Sequence, residues 1–389
     1  MTTSAPDVVP LYGLTDDHLA FRSVIRQIAA ERVAPRAAAI DADAEFPEDV
    51  RRLFACQDLF GLPFDEAYGG TGTGPLMLCV AIEEVAAACA SSALLLAVQD
   101  LGSLPIRLAG SEDLKQRVLP RLASGEWLAA FALSEPDAGS DPRSMRTRAR
   151  REGDEWVIDG AKNWITNAGV AHAYVVFAVT DPSAPSSHGI SAFFVEADEP
   201  GFSISRLEHK MGMRGSPTGQ PVLDGVRVPA ANLIGSEGEG FKIAMRTLDR
   251  SRLGIAAQAL GIAQGATDYA VGYARERIAF GQPLIELQAI QFKLADMETC
   301  CAAARELLYR AAAKAERGER DLGKYSAMAK LFCSDVAMEV TVEAVQVLGG
   351  YGYVTEYPVE RMMRDAKLTQ IYEGTNEIQR VVIARALRG

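Results

Sequence analysis

From Phe241 the chain repeats Met245, Leu248, Arg252, Ile255, Ala259, Ile262, Ala266, Tyr269 and Tyr273, with spacings that alternate four and three. Such alternation keeps its members on one face of an α-helix, so the stretch predicts a single continuous helix with one packed stripe. Arg252 is the only charge in that stripe. A charge on a buried face requires a partner or a functional cavity. A second stripe runs Leu287, Ile290, Leu294, Met297, Cys301, Ala304 and Leu308, and puts Cys301 in the core. Helices are also expected over Asp321–Leu348 and Pro358–Leu368.

The upstream text changes character twice. From about Asp16 to Trp127 it reads as helical, with Leu19, Phe21, Ile25 and Ile28 at helical spacing and further helices at Leu76–Cys89, Ser91–Leu108 and Glu112–Leu122. From about Phe131 it becomes β-rich: Trp156–Gly160, Ala173–Val179, Ile190–Val195 and Gly225–Pro229 are separated by Pro, Ser and Gly. The 389 residues exceed what one core usually serves. The expected class is therefore α+β, with an N-terminal helical domain over 1–130, a middle antiparallel β domain over 131–235 and a C-terminal helical domain over 236–389. A cleft where three such units meet is a common cofactor site. The glycine cluster at 69–74 lacks the preceding strand and the Gly-Lys-Ser/Thr ending of a phosphate loop, and reads as a surface loop. Ala311–Arg320, alternating Ala with charges, reads as a helix end and loop at the surface.

A net charge of -11 argues against nucleic acid or an anionic membrane as the main partner. The six cysteines form no C-x-x-C pair, which favours free thiols in a reducing compartment over disulfides or a zinc site; no metal is expected. Met1–Pro10 has no signal-peptide pattern and no run approaches a membrane span, so the expected location is cytoplasmic, without membrane insertion.

Near the C-terminus, Glu373 stands directly before Gly374 and a helix-start signal. Thr375 and Asn376 both suit an N-cap, and Asn376 with Gln379 approximates a capping box. Gly374 is expected to leave the backbone beside Glu373 mobile and unobstructed. The position suits a general base, and it suits an ordinary dipole-satisfying acid equally. Four other stretches stand out. Phe131–Asp141 offers small residues and hydroxyls where helix gives way to sheet. Lys162–Ala168 carries Trp164, Ile165 and Thr166, able to wall an aromatic cofactor. Arg275–Leu284, followed by Gln288, supplies arginines suited to pyrophosphate beside a sharp break at Phe280 and Gly281. Gln346–Tyr353 has three glycines after a helix. Each alone reads equally as a turn, a packed Trp or a charged loop.

Together, in this order and spacing, they resemble the acyl-CoA dehydrogenase flavoprotein family over essentially the whole chain. Two stretches match its signature patterns: Ala132–Glu135 with Ala138–Asp141, and Gln346 through Gly349, Gly350, Gly352, Tyr353, Glu356 and Arg361 to Asp365. The resemblance implies an N-terminal helical domain, a middle β-barrel-like domain and a C-terminal four-helix bundle. It implies FAD as cofactor, lined by Phe131, Leu133, Ser134, Gly139 and Ser140. Trp164, Ile165 and Thr166 would flank the flavin, and Thr375 and Glu377 would complete its contacts. Arg277, Phe280, Gln288, Gln346, Val347, Gly349 and Gly350 would serve the FAD of a neighbouring subunit, implying a homo-oligomer, usually a tetramer. Acyl-CoA would meet Ser140, Asp249, Arg252, Tyr372 and Gly374.

The implied chemistry is α,β-dehydrogenation. Glu373 would take the α-proton, the β-hydride would pass to flavin N5, and an electron-transferring flavoprotein would accept the electrons. One branch of the family, including isovaleryl-CoA dehydrogenases, carries its base on the helix corresponding to Asp249–Arg252. Here that position is Ser251 while Glu373 is present, which resembles the short-, medium- and branched-chain type. Leu94, Leu95, Val98 and Leu101 suggest a short or branched acyl group. An oxidase, an acyl-carrier-protein-linked dehydrogenase and a non-catalytic assembly protein on the same fold remain the alternatives at this point.

Overall fold

The structure is a computed structural model and describes residues 14–185 and 187–388. Met1–Pro10, read above for a signal peptide, lies outside the described residues. Six α-helices open the described chain: α1 (Asp16–Ile28), α2 (Ala37–Asp43), α3 (Glu48–Cys56), α4 (Gly74–Ala88), α5 (Ala90–Ala109) and α6 (Glu112–Ala123). The starts of α1 and α6 are written locally, since the Thr15 and Ser111 hydroxyls accept backbone N–H groups of the first turns. By length and apolar composition α5 is able to cross a membrane, contrary to the expectation from sequence. It is instead packed into the core, with Leu94, Leu95, Leu96 and Val98 all buried.

A nine-stranded sheet follows: β1 (Ala129–Ala132), β2 (Arg148–Glu152), β3 (Glu155–Ala161), β4 (Ile165–Thr166), β5 (Ala173–Val179), β6 (Ile190–Glu196), β7 (Phe202–Leu207), β8 (Thr218–Pro229) and β9 (Leu233–Ile234). Its path runs β4-β8-β3-β2-β5-β6-β9, with β1 also on β5 and β7 also on β8. The sheet is mixed rather than purely antiparallel: β1 pairs β5 in parallel from Ala129 opposite Ala173 to Ala132 opposite Val176, and β2 meets β5 in parallel at Arg148. Parallel neighbours need a long crossover, and the β2–β4 excursion supplies one between β1 and β5. Gly160 stands inside β3 beside a register shift.

The chain then returns to helix with α7 (Gly240–Glu276), followed by a small hairpin of β10 (Ile278–Ala279) and β11 (Gln282–Pro283). Then come α8 (Gln288–Glu316), α9 (Leu322–Leu348), α10 (Pro358–Thr369) and α11 (Asn376–Leu387). The first and last helical groups share one apolar core, in which Ile82 and Leu94 join Ile255, Ile262, Cys301 and Cys333. The predicted α7 stripe is buried through its centre, but every residue from Ser251 to Ala263 is buried too, because α4, α5, α8 and α9 enclose it. Tyr269, expected inside, is 37% exposed. A 3.5-residue repeat drifts around a 3.6-residue helix, and by the seventh turn the stripe has rotated toward solvent. A Cβ on Gly261 would run into the Glu83 carbonyl oxygen, so that glycine lets α7 lie against the α4 backbone. Ala311, Ala312 and Ala313, expected at the surface, are buried; their small side chains let the end of α8 pack closely. All six cysteines are free, with Cys301 in the core as read and Cys56 exposed.

Candidate active site

Glu373 lies in the turn between α10 and α11, on left-handed backbone with φ of 51°. Thr375 is the N-cap of α11, its hydroxyl accepting the Ile378 N–H. Asn376 does not form the expected capping box with Gln379. Its side chain is buried, donating to Ser334 Oγ at 2.9 Å and to Asp335 Oδ1 at 2.7 Å on α9. Gln379 folds back instead, its Nε2 donating to the carbonyls of Glu373 at 3.2 Å and Gly374 at 2.7 Å. Gly374, at φ of 91°, is therefore clamped rather than mobile, and a Cβ there would sit 2.7 Å from Gln379 Nε2. The glycine serves the tightness of the turn, not its freedom.

The carboxylate of Glu373 accepts a hydrogen bond from the Ser251 hydroxyl at 2.6 Å. Burial pushes its pKa up to about 7, and nearby Asp100 adds to the rise; the Ser251 bond and the charges of Arg252 and Lys330 oppose it. Arg252 is 3% exposed. Its Nη1 pairs with Asp249 Oδ1 at 2.8 Å, while its Nε is buried without a partner among the described residues. The partner demanded by the lone charge in the α7 stripe is therefore Asp249, three residues earlier, with Glu373 in its field. Tyr372 directs its hydroxyl to Gln258 Oε1 on α7, and Gln258 in turn donates to the Ala90 carbonyl at 2.8 Å.

A second group sits at the edge of the sheet. Ser134 is half-buried, and its carbonyl accepts the Asn163 N–H at 2.9 Å, which ties the stretch after β1 to the stretch before β4. Leu133 is buried, and Phe131 packs edge-on against Phe177 with centroids 5.0 Å apart. Gly139 and Ser140 are exposed. Trp164, with φ of 63°, is 59% exposed; Ile165 is buried opposite Gly219, and Thr166 is half-buried opposite Thr218. The acidity of this motif has an internal use. Glu135 turns inward, accepting the backbone N–H groups of Arg146 at 2.5 Å and Thr147 at 3.0 Å and the Lys162 ammonium at 2.8 Å. Lys162 also donates to the Leu133 carbonyl at 3.2 Å. Burial lowers its pKa to about 8, against the pull of Glu135.

A third group surrounds a cavity of about 450 Å³ lined by Tyr273, Arg277, Leu284, Val347, Leu348, Gly349, Gly350, Tyr351 and Val354. Arg277 lies over the Tyr351 ring at 5.2 Å. A Cβ on Gly349 or Gly350 would meet nothing within 4 Å, so the backbone there is open to a ligand. Gln346 and Gln288 are exposed, on the last turn of α9 and the first of α8, and Phe280 is 93% exposed. Glu377 is exposed in the first turn of α11.

These residue types fit FAD. An exposed indole beside the hydroxyls of Ser134 and Thr166 suits a flavin ring, and a guanidinium beside open glycine backbone suits a pyrophosphate. Two residues that support these groups were not singled out from sequence, Lys162 as an internal partner and Lys330 beneath the Glu373 turn. Lys330 is a lone charge among Ala327, Ala329 and Cys333, the same signal that marked Arg252.

Comparison with known proteins gives the family. The acyl-CoA dehydrogenase N-terminal, middle and C-terminal domain families match residues 15–126, 130–226 and 238–388. The probable acyl-CoA dehydrogenase FadE25 of Mycobacterium tuberculosis is 51% identical over 377 residues, covering 97% of each chain. The solved butyryl-CoA dehydrogenase of Megasphaera elsdenii superposes with a TM-score of 0.94 at 44% identity, covering 97% of this chain and all of that one. A chain solved in work on the electron transferring flavoprotein of Acidaminococcus fermentans gives a TM-score of 0.94 at 44% identity, over 96% of this chain and 98% of that one. The protein belongs to the acyl-CoA dehydrogenase family, a family of FAD-dependent oxidoreductases.

Proposed function

We propose that this chain oxidises a short- or branched-chain acyl-CoA to its trans-2-enoyl-CoA, with Glu373 as the base that takes the α-proton. The observation that carries this reading is the Glu373 carboxyl, half-buried, with its pKa raised to about 7 and hydrogen-bonded by Ser251 at 2.6 Å. A thioester α-proton is only weakly acidic, so its removal calls for a carboxylate of raised basicity held in one place. Burial supplies the basicity, and the clamped turn supplies the placement. The Glu373 backbone N–H is a donor for the thioester oxygen, where negative charge gathers as the proton leaves. Bound FAD supplies the hydride acceptor for the β-carbon.

Ser140, Asp249, Arg252, Tyr372 and Gly374 are the proposed acyl-CoA contacts. Phe131, Leu133, Ser134, Gly139, Ser140, Trp164, Ile165, Thr166, Thr375 and Glu377 are the proposed contacts to the chain's own FAD. Arg277, Phe280, Gln288, Gln346, Val347, Gly349 and Gly350 are the proposed contacts to the FAD of a second copy, in a tetramer. The bare Phe280 side chain and the open glycines of the 450 Å³ cavity support a partner there. The similarity to the butyryl-CoA dehydrogenase supports a short acyl group, as do the buried Leu94, Leu95 and Val98. The similarity to the chain from A. fermentans supports an electron-transferring flavoprotein as acceptor. A cytoplasmic location accords with six free thiols.

The test is direct. The purified protein should be yellow, and butyryl-CoA or isobutyryl-CoA should bleach its flavin without oxygen. A colourless protein that takes up no FAD would overturn the reading.

A further inference from the structure

The turn that carries Glu373 rests on α9. Lys330 is 0% exposed, yet among the described residues its hydrogen bonds are to uncharged groups: Nζ donates to the Gly374 carbonyl and to Asn376 Oδ1, both at 2.9 Å. One and three residues after the base, those two acceptors fix the Gly374–Thr375 peptide and the first residue of α11. Ser334, a helical turn after Lys330, shares Asn376 by donating to the same Oδ1 at 3.1 Å, and Asp335 accepts from Asn376 Nδ2 at 2.7 Å and Gln370 Nε2 at 2.7 Å. The turn is thus held from one face of α9 by three side chains, of which only Lys330 reaches its Glu373 end.

We infer that Lys330 is a positioning residue for the α-proton abstraction: from α9 it locks the Glu373–Asn376 turn and brings a buried ammonium beneath it. This rests on the reading of Glu373 as the base. Burial lowers the Lys330 pKa to about 7 while Glu373 pulls it back up, so the ammonium is held at a cost that Leu or Met at a plain helix-packing position would avoid. A cation is what the site gains by a lysine. The groups facing Glu373 are Ser251 and Arg252 from α7, Asp100 from α5 and Lys330 from α9. Those facing Lys330 are Glu373 from the turn, Arg252 from α7, Asp335 from α9 and Glu377 from α11. Asp100 raises the proton affinity of Glu373, and the two cations lower it. Arg252 is already committed to Asp249, so Lys330 is the cation whose polar partners, among the described residues, lie in the Glu373–Asn376 turn.

The test compares Lys330→Arg, which keeps the charge, with Lys330→Gln and Lys330→Met, which remove it, each first checked for folding and flavin content. Two readouts are followed against pH: kcat/KM with the best acyl-CoA, and exchange of the α-hydrogens of acetyl-CoA with D2O by NMR. Acetyl-CoA has no β-hydrogen, so the second readout needs proton abstraction and no redox step. The expected result is an acid limb moved to higher pH by about half a unit or more in Lys330→Gln and Lys330→Met, with the limb kept in Lys330→Arg. Coincident limbs in Lys330→Arg and Lys330→Gln would overturn the inference, and that pair decides it if Lys330→Met does not fold. Glu373→Gln is the control. Exchange at the wild-type rate in that variant would remove Glu373 as the base. Abolished exchange there, with unmoved limbs at Lys330, would remove only the role of Lys330.

Discussion

The Ser251 hydroxyl, on α7, donates to Glu373 Oε2 at 2.6 Å across a separation of 122 residues. Position 251 thus supplies a donor to Glu373, the proposed base. A bond donated to the ionised carboxylate favours the charged form and partly offsets the rise caused by burial.

Removing that donor therefore moves the carboxyl further up. Ser251→Ala should shift the acid limb of kcat/KM to higher pH by up to about one unit, with the rate above the limb retained within a few-fold. A pH profile from about 5 to 9 checks it. A limb that stays put or moves down would mean that the hydroxyl bond does not tune the base.

The same carboxyl links stability to pH. Its folded pKa, about 7, lies above the ordinary value of 4.5, so the folded chain holds that proton more tightly than the unfolded one. The stability it contributes is full below about 4.5 and is lost as the pH climbs to about 7. Glu373→Gln lacks this loss. Thermal unfolding of the flavin-loaded protein should show Glu373→Gln more stable than wild type at pH 8, on the order of 2 kcal/mol, and little different at pH 5. Parallel stabilities at both pH values would contradict the desolvated state of Glu373.

Lys162 and Glu135 form a buried pair that holds the Leu133 carbonyl and the backbone at Arg146 and Thr147. Losing one partner leaves the other charge buried and unpaired. Lys162→Met should cost about 3–5 kcal/mol, and the Glu135→Leu, Lys162→Met double variant distinctly less. Flavin content should fall with the single variant, because Leu133 and Ser134 belong to the proposed FAD wall. Calorimetry and the ratio of flavin to protein absorbance measure both effects.

Much of the fold was legible because its signals are periodic. The alternating four and three spacing gave α7 and the core face of α8, and the β-rich runs gave β5 and β6 almost to the residue. The strands β1, β2, β4, β7 and β9 were not read. Three of them are four residues or fewer, and β2 and β7 are mostly exposed, so no buried apolar run marked them. The glycine at 374 misled for a physical reason. Sequence shows that a glycine permits unusual backbone, but whether that backbone is loose or locked depends on Gln379 folding back and Lys330 reaching up from α9. The partners of Glu373 were half legible. Arg252 announced itself as the one charge in a stripe, and Lys330 carried the same mark in α9 but was not read.

The central claim is that Glu373 takes the α-proton, and anaerobic single-turnover flavin bleaching by butyryl-CoA tests it most directly. Wild type should bleach rapidly, while flavin-loaded Glu373→Gln, folded and still binding the acyl-CoA, should bleach at least about a thousandfold more slowly. Bleaching of Glu373→Gln at the wild-type rate would contradict the account.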